Sequence, residues 1–277
     1  MNRLLGKFLR ITVFDDIKLR LINPLEYQQK VFLLGKELLE PEVTQTLCSV
    51  LRPGMTFFDI GANLGYYTLL ASKIVGSCGE VHAFEPAPVQ FRHLALNVKI
   101  NRAKNIRLNN LALAERSGDK ELFLSDGWNQ GIHSFAKMSG PAHSCLVQCT
   151  SLDEYVDRAG VAQIDVMKMD VEGSELFVLG GGKSALVDLR PRVIIFEACE
   201  GHAQAQGYST SEVKQLLSEK GYRILRLAPS AQPIEAVLAS PEDYANLVAV
   251  HASAEGWYYE ALGMDLARRA GRGLAAE

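Results

Sequence analysis

The regular alternation of short apolar segments with longer helical patterns is the feature that most constrains the fold of this chain. Such alternation predicts parallel strands, because a chain must cross over the sheet before it can pair in the same direction again. One segment, RVIIFEA, is almost continuously apolar, as are strands buried on both faces of a sheet. We therefore predict an α/β protein with a doubly wound, mostly parallel sheet and ligands beyond the carboxyl ends of its strands. The predicted strands of this alternating part are Met55 to Ile60, Glu80 to Glu85, Ile106 to Leu113, Ile164 to Val171 and Arg192 to Ala198.

The remaining signals place helices, late strands and one long loop. Ser209 and Glu212 form a capping box that opens a helix. Glu121 to Ser125 has the pattern of an extra strand or edge hairpin. The segment from Asp126 to Ser144 is rich in Gly, Ser, His and Asn and predicts a long loop, which in compact domains is often functional. Two late strands that close the sheet are predicted at Tyr222 to Leu227 and Asn246 to Ala252.

The length and composition suit one large α/β domain with a short extension, or two small domains. The chain has 277 residues, of which 48% are hydrophobic and 22% charged, a profile typical of a globular protein. We expect residues 1–40 to be an N-terminal extension that acts as a lid or packing element. Residues 41–252 form the α/β domain, and residues 253–277 form a C-terminal helix and tail.

The charge balance and the cysteine content limit which binding partners and which cellular compartment we expect. The chain has 29 Lys and Arg residues against 32 Asp and Glu residues, so it lacks the basic excess of a general nucleic-acid binder. Five cysteines at irregular spacings indicate no disulfide framework, and the pair Cys145 and Cys149 lacks a second ligand pair for zinc. No apolar run approaches the ~20 residues of a membrane span. Lys7 and Arg10 interrupt the signal-peptide-like start, so we predict a cytoplasmic location.

The segment FFDIGANLGYYTL, Phe57 to Leu69, runs from a predicted strand through a turn with two glycines into a predicted helix. Gly61 lets the backbone turn tightly beside a ligand, Asn63 tolerates a left-handed conformation, and Gly65 lets the helix start against the sheet. The G-x-G-x-x-G fingerprint of dinucleotide folds is missing, because bulky Tyr66 follows Gly65 and the third glycine is absent. The turn therefore predicts a nucleotide site without a pyrophosphate cradle.

Two carboxylates at predicted strand ends indicate the chemistry of the ligand. Asp59, just before the turn, repels a diphosphate and attracts an ammonium group. Glu85 ends the next strand, where an acidic side chain can accept hydrogen bonds from both hydroxyls of a ribose. Its alternative role is that of an acid stabilised by the dipole of a following helix. Together the two acids favour a nucleoside that carries a cationic amino-acid end.

Four segments carry a family resemblance: DIGANLGYYT from Asp59, AFEP from Ala83, IDVMKMDVEGSE from Ile164 and IFE from Ile195. They resemble the FkbM family of S-adenosylmethionine-dependent methyltransferases, over about Leu38 to Val250. The resemblance implies a class I, Rossmann-like methyltransferase fold with strand order 3-2-1-4-5-7-6 and an antiparallel last strand. It also implies a cofactor whose methionine part, ribose and adenine lie, in that order, against these residues: Asp59, Gly61, Asn63 and Gly65, then Glu85, then Ala112.

Methyl transfer from a sulfonium to an oxygen needs an acceptor held in line, exclusion of water and a route for the acceptor's proton. Asp170 and Glu197 end the fourth and fifth predicted strands, so we expect their carboxylates to face one crevice. There one of them acts as a general base, or both hold a divalent ion such as Mg²⁺. The alternative for Asp170 is contact with the cofactor's ammonium group or a helix cap. Glu172 and Glu175 also suit the N-terminus of a helix.

The predicted loop adds a third catalytic candidate. His133, in GWNQGIHSF, is a candidate base or acceptor-binding group, because histidine titrates near neutral pH. His202, just beyond the fifth predicted strand, is a comparable candidate. Trp128 either stacks on a sugar or covers the edge of the core. The ordinary alternative for a lone loop histidine is a solvated side chain.

These inferences predict an O-methyltransferase that uses S-adenosyl-L-methionine on a hydroxyl of a saccharide, a glycolipid or a glycosylated natural product. The partner is a small-molecule or saccharide acceptor and not a nucleic acid, and a homodimer is left open. A nicotinamide-dependent oxidoreductase is the first alternative, since Glu85 suits its ribose equally well. It requires a complete glycine fingerprint and a Tyr-x-x-x-Lys pair, which the sequence lacks. A non-catalytic cofactor-binding scaffold is the second alternative.

Overall fold

The computed structural model describes residues 10–13, 17–20, 40–125, 133–136, 142–228, 234–236 and 238–264. The strands within these ranges are β1 (Arg10–Val13), β2 (Ile17–Arg20), β3 (Thr56–Ile60), β4 (Glu80–Phe84), β5 (Ile106–Asn109), β6 (Ala112–Leu113), β7 (Gly118–Ser125), β8 (His133–Ser134), β9 (Ala142–Thr150), β10 (Val166–Met169), β11 (Val193–Ala198), β12 (Tyr222–Arg226), β13 (Ile234–Glu235) and β14 (Ala245–His251). The helices are α1 (Pro41–Val50), α2 (Tyr66–Val75), α3 (Pro88–Asn101), α4 (Leu152–Ala159), α5 (Glu175–Gly180), α6 (Lys183–Asp188), α7 (Glu200–Ala205), α8 (Thr210–Glu219) and α9 (Glu255–Ala261), with a 3₁₀ turn at Ala252–Ala254.

The central sheet has the order β5-β4-β3-β10-β11-β14-β12-β13. The strands from β5 to β11 run parallel, whereas β14 is antiparallel to both β11 and β12. This arrangement is the predicted order 3-2-1-4-5-7-6 with an antiparallel last strand, and β13 adds one short strand at the edge. The predicted fold class is therefore confirmed.

Side chains alternate between the two faces of this sheet, so each face has its own core. Phe57 of β3 and Ile195 of β11 pack on the side of α1, α2, α3 and α9. Phe58 and Phe196, each one residue further along its strand, pack on the side of α4 to α8. Helices on both faces explain why the apolar runs of β10 and β11 are nearly continuous. The capping box of Ser209 and Glu212 forms at the start of α8.

A second sheet, with order β6-β9-β7-β8, departs from two expectations. The predicted strand from Ile106 to Leu113 is wrong in extent: β5 ends at Asn109, and β6 joins the second sheet instead. The predicted loop from Asp126 to Ser144 also contains β8 and the start of β9. The polar residues of β9 concealed this strand, because only one of its faces packs on the small core around Leu122. Trp128 lies outside the described residues.

The parts that flank the predicted domain pack on it where they are described. In β2, the backbone N–H groups of Lys18 and Arg20 donate to the side-chain oxygens of Asn101 and Asn97, at 2.8 and 2.7 Å. Tyr258 of α9 is fully buried in the core that also contains α1. The division at residues 40 and 252 stays a prediction. Within the described ranges, no helix has both the length and the apolar character that a membrane span needs.

Candidate active site

The turn between β3 and α2 brings two loops of the site into contact. Gly61 has φ +83°, and a Cβ built on it would lie 1.9 Å from the carbonyl oxygen of Asp170. Only glycine permits this approach. Asn63 adopts φ 49°, in the left-handed region that the sequence predicted for it. Gly65 differs from expectation, because its close neighbour is Leu94 of α3, 2.5 Å from a built Cβ, and not the sheet.

Glu85 follows β4 and is held by the backbone. Its Oε2 accepts a hydrogen bond from the N–H of Asn63 at 2.8 Å, and its Oε1 accepts one from the N–H of Ala87 at 2.8 Å. The side chain is buried, and burial raises its pKa to about 7 against the opposing effect of these two donors. Each oxygen keeps a lone pair for a further donor, so the carboxylate is fixed in place and can still accept hydrogen bonds.

A cavity of about 660 Å³ opens beside Glu85 at the carboxyl ends of β3, β4 and β10. Gly61, Asn63 and Asp170 line it together with apolar side chains from the sheet. Apolar side chains next to a fixed acid are the kind of lining that a nucleoside needs.

The second sheet supplies one wall of this cavity. Leu122, His133 and Phe135 line it, as does Ala112 of β6. His133 lies in β8, paired with Leu124, and not in the predicted loop, and its role as a base or acceptor-binding group stays a prediction. The contributions of Leu122 and Phe135 were missed, because no local signal relates the second sheet to the central one.

Asp59 is almost completely buried and faces a lysine of its own protein. The hydroxyl of Thr68 donates to its Oδ2, whereas its Oδ1 has no hydrogen-bond partner among the described residues. Burial raises the pKa of Asp59, and the charge of Lys168 opposes that shift. In the sheet register, Lys168 of β10 stands directly beside Asp59. The predicted attraction of Asp59 for a ligand ammonium group stays a prediction, since Lys168 already offsets part of its charge.

Lys168 is a buried residue of the site for which no role was predicted from the sequence. Its Nζ lies 3.2 Å from Oδ2 of Asp170 and 4.6 Å from the ring centroid of Tyr67. Burial alone would lower its pKa, but the charges of Asp170, Asp59 and Glu40 outweigh burial and raise it above the ordinary lysine value. The available signal was a single cation inside the apolar strand VMKM, because a buried charge requires partners.

Four acids meet where β10 and β11 end, and we call Asp170, Glu172, Glu175 and Glu197 the acidic cluster. Asp170 and Glu172 line the cavity. Glu175 is the buried first residue of α5, and its Oε2 accepts from the hydroxyl of Tyr208 at 3.0 Å. Burial and the charges of the other three acids raise the pKa of Glu197 to about 9. Asp170 lines the cavity and Glu197 does not, so the expectation that their carboxylates face one crevice stays a prediction.

His202, at the start of α7, completes the cluster. Its Nδ1 lies 3.1 Å from Oε2 of Glu172 and 3.9 Å from Oε2 of Glu197. These three side chains place one ligand atom each within 4.8 Å of one another, so they could also hold a metal ion. The sequence had paired Asp170 with Glu197 for that role, and the structure instead groups Glu197 with Glu172 and His202.

The fold and the cavity together define a class. A parallel sheet with an antiparallel strand inserted next to β11, and a nucleoside cavity that ends at a buried acid after β4, define a class I S-adenosylmethionine-dependent methyltransferase. The model of the methyltransferase FkbM domain matches residues 59–224. The chain therefore belongs to the FkbM methyltransferase family.

Curated relatives match part of their own length. The 31-O-demethyl-FK506 methyltransferase FkbM of Streptomyces tacrolimicus is 30% identical over 163 residues, which are 49% of this chain and 62% of that protein. The hexuronic acid methyltransferase AglP of Haloferax volcanii is 31% identical over 180 residues, 65% of this chain and 68% of that one. The crystal structure of methyltransferase FkbM from Methylobacillus flagellatus KT gives a TM-score of 0.47 at 17% identity, over 75% of this chain and 50% of that chain. The chain thus spans less than two thirds of the first of these relatives.

Proposed function

We propose that this methyltransferase acts on a hydroxyl oxygen of a saccharide, a glycolipid or a glycosylated natural product. The observation that carries the proposal is the acidic cluster with His202, two of whose acids, Asp170 and Glu172, line the cavity. Methylation of a hydroxyl requires a group that takes its proton, and carboxylates and imidazole are such groups. The names of two relatives, one with a 31-O position and one with a hexuronic acid, support an oxygen on a natural product or sugar.

On the cofactor side, the backbone and the cavity wall do most of the binding. S-adenosylmethionine supplies a methyl group made electrophilic by the attached sulfonium. We assign the ribose hydroxyls to Glu85, whose two oxygens are held by amides and keep lone pairs. Ala112 borders the adenine. The turn from Gly61 to Gly65 and the unpartnered Oδ1 of Asp59 take the methionine part.

On the acceptor side, the predicted catalytic set is Asp170, Glu197 and His133. Asp170 and His133 line the cavity, so they are placed to orient the acceptor hydroxyl. With a pKa of about 9, Glu197 is protonated at neutral pH and donates a hydrogen bond to an acceptor oxygen. Leu122 and Phe135 shield the cavity from water, which strengthens these interactions.

A divalent ion is a second candidate for activating the acceptor. The ligand atoms of Glu172, Glu197 and His202 lie close enough to share one cation. A set with one ring nitrogen and two carboxylates suits Mn²⁺ or Zn²⁺ better than Mg²⁺, which prefers oxygen ligands. Methyl transfer by chelator-treated protein, with and without Mg²⁺ or Mn²⁺, separates this candidate from metal-free proton transfer.

The first test is the cofactor. Calorimetric titration with S-adenosylhomocysteine and, separately, with NADH should give binding heat for the first ligand only. Heat from NADH with silence from S-adenosylhomocysteine would revive the oxidoreductase alternative. Silence from both would favour the scaffold alternative.

The second test is the acceptor. Protein with methyl-tritiated cofactor is incubated with methyl α-glucoside, glucuronic acid and a glycosylated macrolide, and label is located by mass spectrometry. We expect label on oxygen in at least one sugar. Label only on nitrogen, carbon or sulfur acceptors would contradict the proposal. The cytoplasmic location, a homodimer and the lack of nucleic-acid binding stay predictions, which fractionation, light scattering and filter binding check.

A further inference from the structure

The outward side of α3 carries a stripe of alternating aliphatic and cationic side chains. The exposed residues of this helix are Pro88, Val89, Arg92, Leu96 and Lys99. From Val89 onward they recur every three or four residues, so they lie along one face of the helix. The chain has no acidic residue between Glu85 and Glu115. A solvated helix face commonly mixes both signs of charge, so this stripe differs from an ordinary solvated face.

Strand β2 brings two more cations to this stripe. The side-chain amides of Asn97 and Asn101, one helical turn apart on α3, bind the backbone of β2 as a neighbouring strand does. Asn101 accepts a hydrogen bond from the N–H of Lys18 at 2.8 Å and donates one to its carbonyl at 2.7 Å. Asn97 does the same for Arg20, at 2.7 and 3.3 Å. Lys18 and Arg20 are two residues apart, so their side chains leave the same face of the strand, opposite to its buried residues.

Strand β2 and helix α3 form an open groove, and four of its six lining residues are basic. The lining consists of Lys18, Arg20, Leu96, Lys99, Ile100 and Arg102. Burial lowers the pKa of His93 on α3, and the charges of Arg20 and Arg92 lower it further. Cations from both elements therefore act on one point. We call the lining of this groove, together with Val89 and Arg92, the basic face.

The composition of the basic face favours an anionic lipid surface over other anionic partners. Val89 and Leu96, which lie between the cations, are 39% and 37% exposed. Aliphatic side chains among cations suit the boundary between headgroups and acyl chains. A nucleic-acid surface instead combines cations with aromatic rings or amides that contact the bases, and here the amides of Asn97 and Asn101 are already bound to β2. The chain as a whole has a net charge of -3, so an anionic surface attracts this face and not the molecule as a whole.

We propose that the basic face docks the chain on the surface of an anionic lipid membrane, a function beyond methyl transfer. The cations of this face are Lys18, Arg20, Arg92, Lys99 and Arg102. Clusters of about four to eight such residues bind anionic headgroups, and each residue strengthens binding about fivefold. The aliphatic side chains of Val89 and Leu96 enter the interface between the headgroups. Helix α3 begins two residues after Pro86, which lines the cavity, so the docked surface starts next to the candidate active site.

The test is sedimentation of the full chain with sucrose-loaded vesicles of phosphatidylcholine, alone or with about 30% phosphatidylglycerol, in about 0.1 M NaCl. We expect binding to the anionic vesicles only, and release by about 0.5 M NaCl, because salt screens the attraction. The double variant Arg92→Gln/Lys99→Gln should bind roughly 25-fold more weakly, about fivefold for each cation. The matched control Arg158→Gln/Lys183→Gln removes two exposed cations from α4 and α6, on the other side of the central sheet. Its binding should stay within about twofold of that of the unchanged chain, because these positions lie away from the membrane.

A second pair of variants tests the aliphatic part of the basic face. Leu96→Ser should weaken vesicle binding about threefold, because only the exposed part of this side chain is available for burial. Val187→Ser, at a 44% exposed position on α6, should leave it unchanged. All these variants are at exposed positions, so S-adenosylhomocysteine affinity should stay within about twofold and Tm within about 2 °C.

Three results would overturn the proposal. The first is equal loss of binding in the two double variants, which would show that net charge and not the basic face matters. The second is the absence of sedimentation with anionic vesicles, or equal sedimentation with neutral ones. The third is binding of single-stranded RNA that Arg92→Gln/Lys99→Gln weakens while no vesicle binds, which would assign the face to nucleic acid. None of these measurements needs a methyl acceptor, so they decide the docking surface whether or not a hydroxyl is methylated.

Discussion

The two regions that we propose as the nucleoside end and the acceptor end of the site hold their carboxylates in different ways. At the nucleoside end, main-chain N–H groups of Asn63 and Ala87 hold both oxygens of Glu85. At the acceptor end, Glu197 is surrounded by side chains, with the hydroxyl of Tyr244 as a hydrogen-bond partner and acids as neighbours. Burial raises the pKa of Glu85 to about 7 and that of Glu197 to about 9. At Glu85 two backbone donors oppose burial more than the charges of Asp59 and Asp170 add to it, whereas at Glu197 the charges of three acids add to burial.

Because of this difference, we expect side-chain substitutions to affect the acceptor end more than the nucleoside end. Backbone donors do not depend on the side chains that carry them, so the nucleoside end is preorganised by the path of the chain. At the acceptor end, each substitution changes the charge balance of the whole cluster. We infer that substitutions in the acidic cluster, more than substitutions around Glu85, change which acceptor is methylated.

The largest expected effect comes from a substitution at Gly61, where the turn after β3 touches the end of β10. Gly61→Ala places a Cβ against the carbonyl of Asp170 and should lower the free energy of unfolding by about 3 kcal/mol or more, from overpacking and left-handed strain together. S-adenosylhomocysteine binding should be lost. The matched control is Gly54→Ala, which has φ +86° but nothing within 4 Å of the new Cβ, and should cost about 1–2 kcal/mol. If urea denaturation gave the same loss of unfolding free energy for both variants, backbone strain alone, and not the contact with Asp170, would explain the effect at Gly61.

The same substitution at both ends gives the next largest effect. Glu85→Gln replaces one accepting oxygen by an NH₂ group that faces a backbone N–H. Hydrogen bonds to charged groups contribute about 1.5–3 kcal/mol, so S-adenosylhomocysteine should bind roughly 10- to 100-fold more weakly. Glu197→Gln should leave that affinity within about twofold, because it lies at the other end and is protonated at neutral pH. Calorimetry that finds equal losses would remove the distinction between the ends.

The pH dependence of stability should also distinguish the ends. A carboxyl whose pKa is higher in the folded than in the unfolded chain, where Glu is near 4.3, binds more protons when folded. Its contribution is present below the unfolded value and is lost as pH rises through the folded pKa. The loss should end near pH 7 for Glu85 and near pH 9 for Glu197. We therefore expect stability, measured by thermal unfolding between about pH 5 and about 9.5, to depend less on pH in the variants. The dependence should become flatter up to about pH 7 in Glu85→Gln and up to about pH 9 in Glu197→Gln. An unchanged slope in Glu197→Gln would contradict the raised pKa.

The smallest expected effect is that of Tyr244→Phe. Tyr244 is 57% exposed, and its hydroxyl favours the charged form of Glu197. Loss of this exposed hydrogen bond should change the free energy of unfolding at pH 7 by no more than about 0.5 kcal/mol. The pKa of Glu197, measured by carbon-13 NMR, should rise further. A fall in that pKa would indicate that Tyr244 acts on the cluster by another route.

Much of the fold was predictable because it is local. The alternation of apolar segments, the capping box at Ser209 and the glycine turn after β3 each act within a few residues. The position of Glu85 at the end of a strand was also predictable, since Pro86 follows it and cannot continue the strand pairing. The second sheet was not, because β9 is polar on one face and its partner β7 is separated from it by the segment that the sequence predicted as loop.

The sequence by itself indicated a doubly wound, mostly parallel sheet and the position of the glycine turn, since these depend on periodicity and on spacing along the chain. The strand order and the cofactor came from the resemblance of its motifs to a known family. Only the tertiary structure decided which acids act together. Glu172 lies in the loop after β10, Glu197 in β11 and His202 in α7, and their contact depends on the close approach that Gly173 permits. Their charge states then follow from burial and mutual repulsion. These are properties of distance in space, which spacing along the chain does not contain.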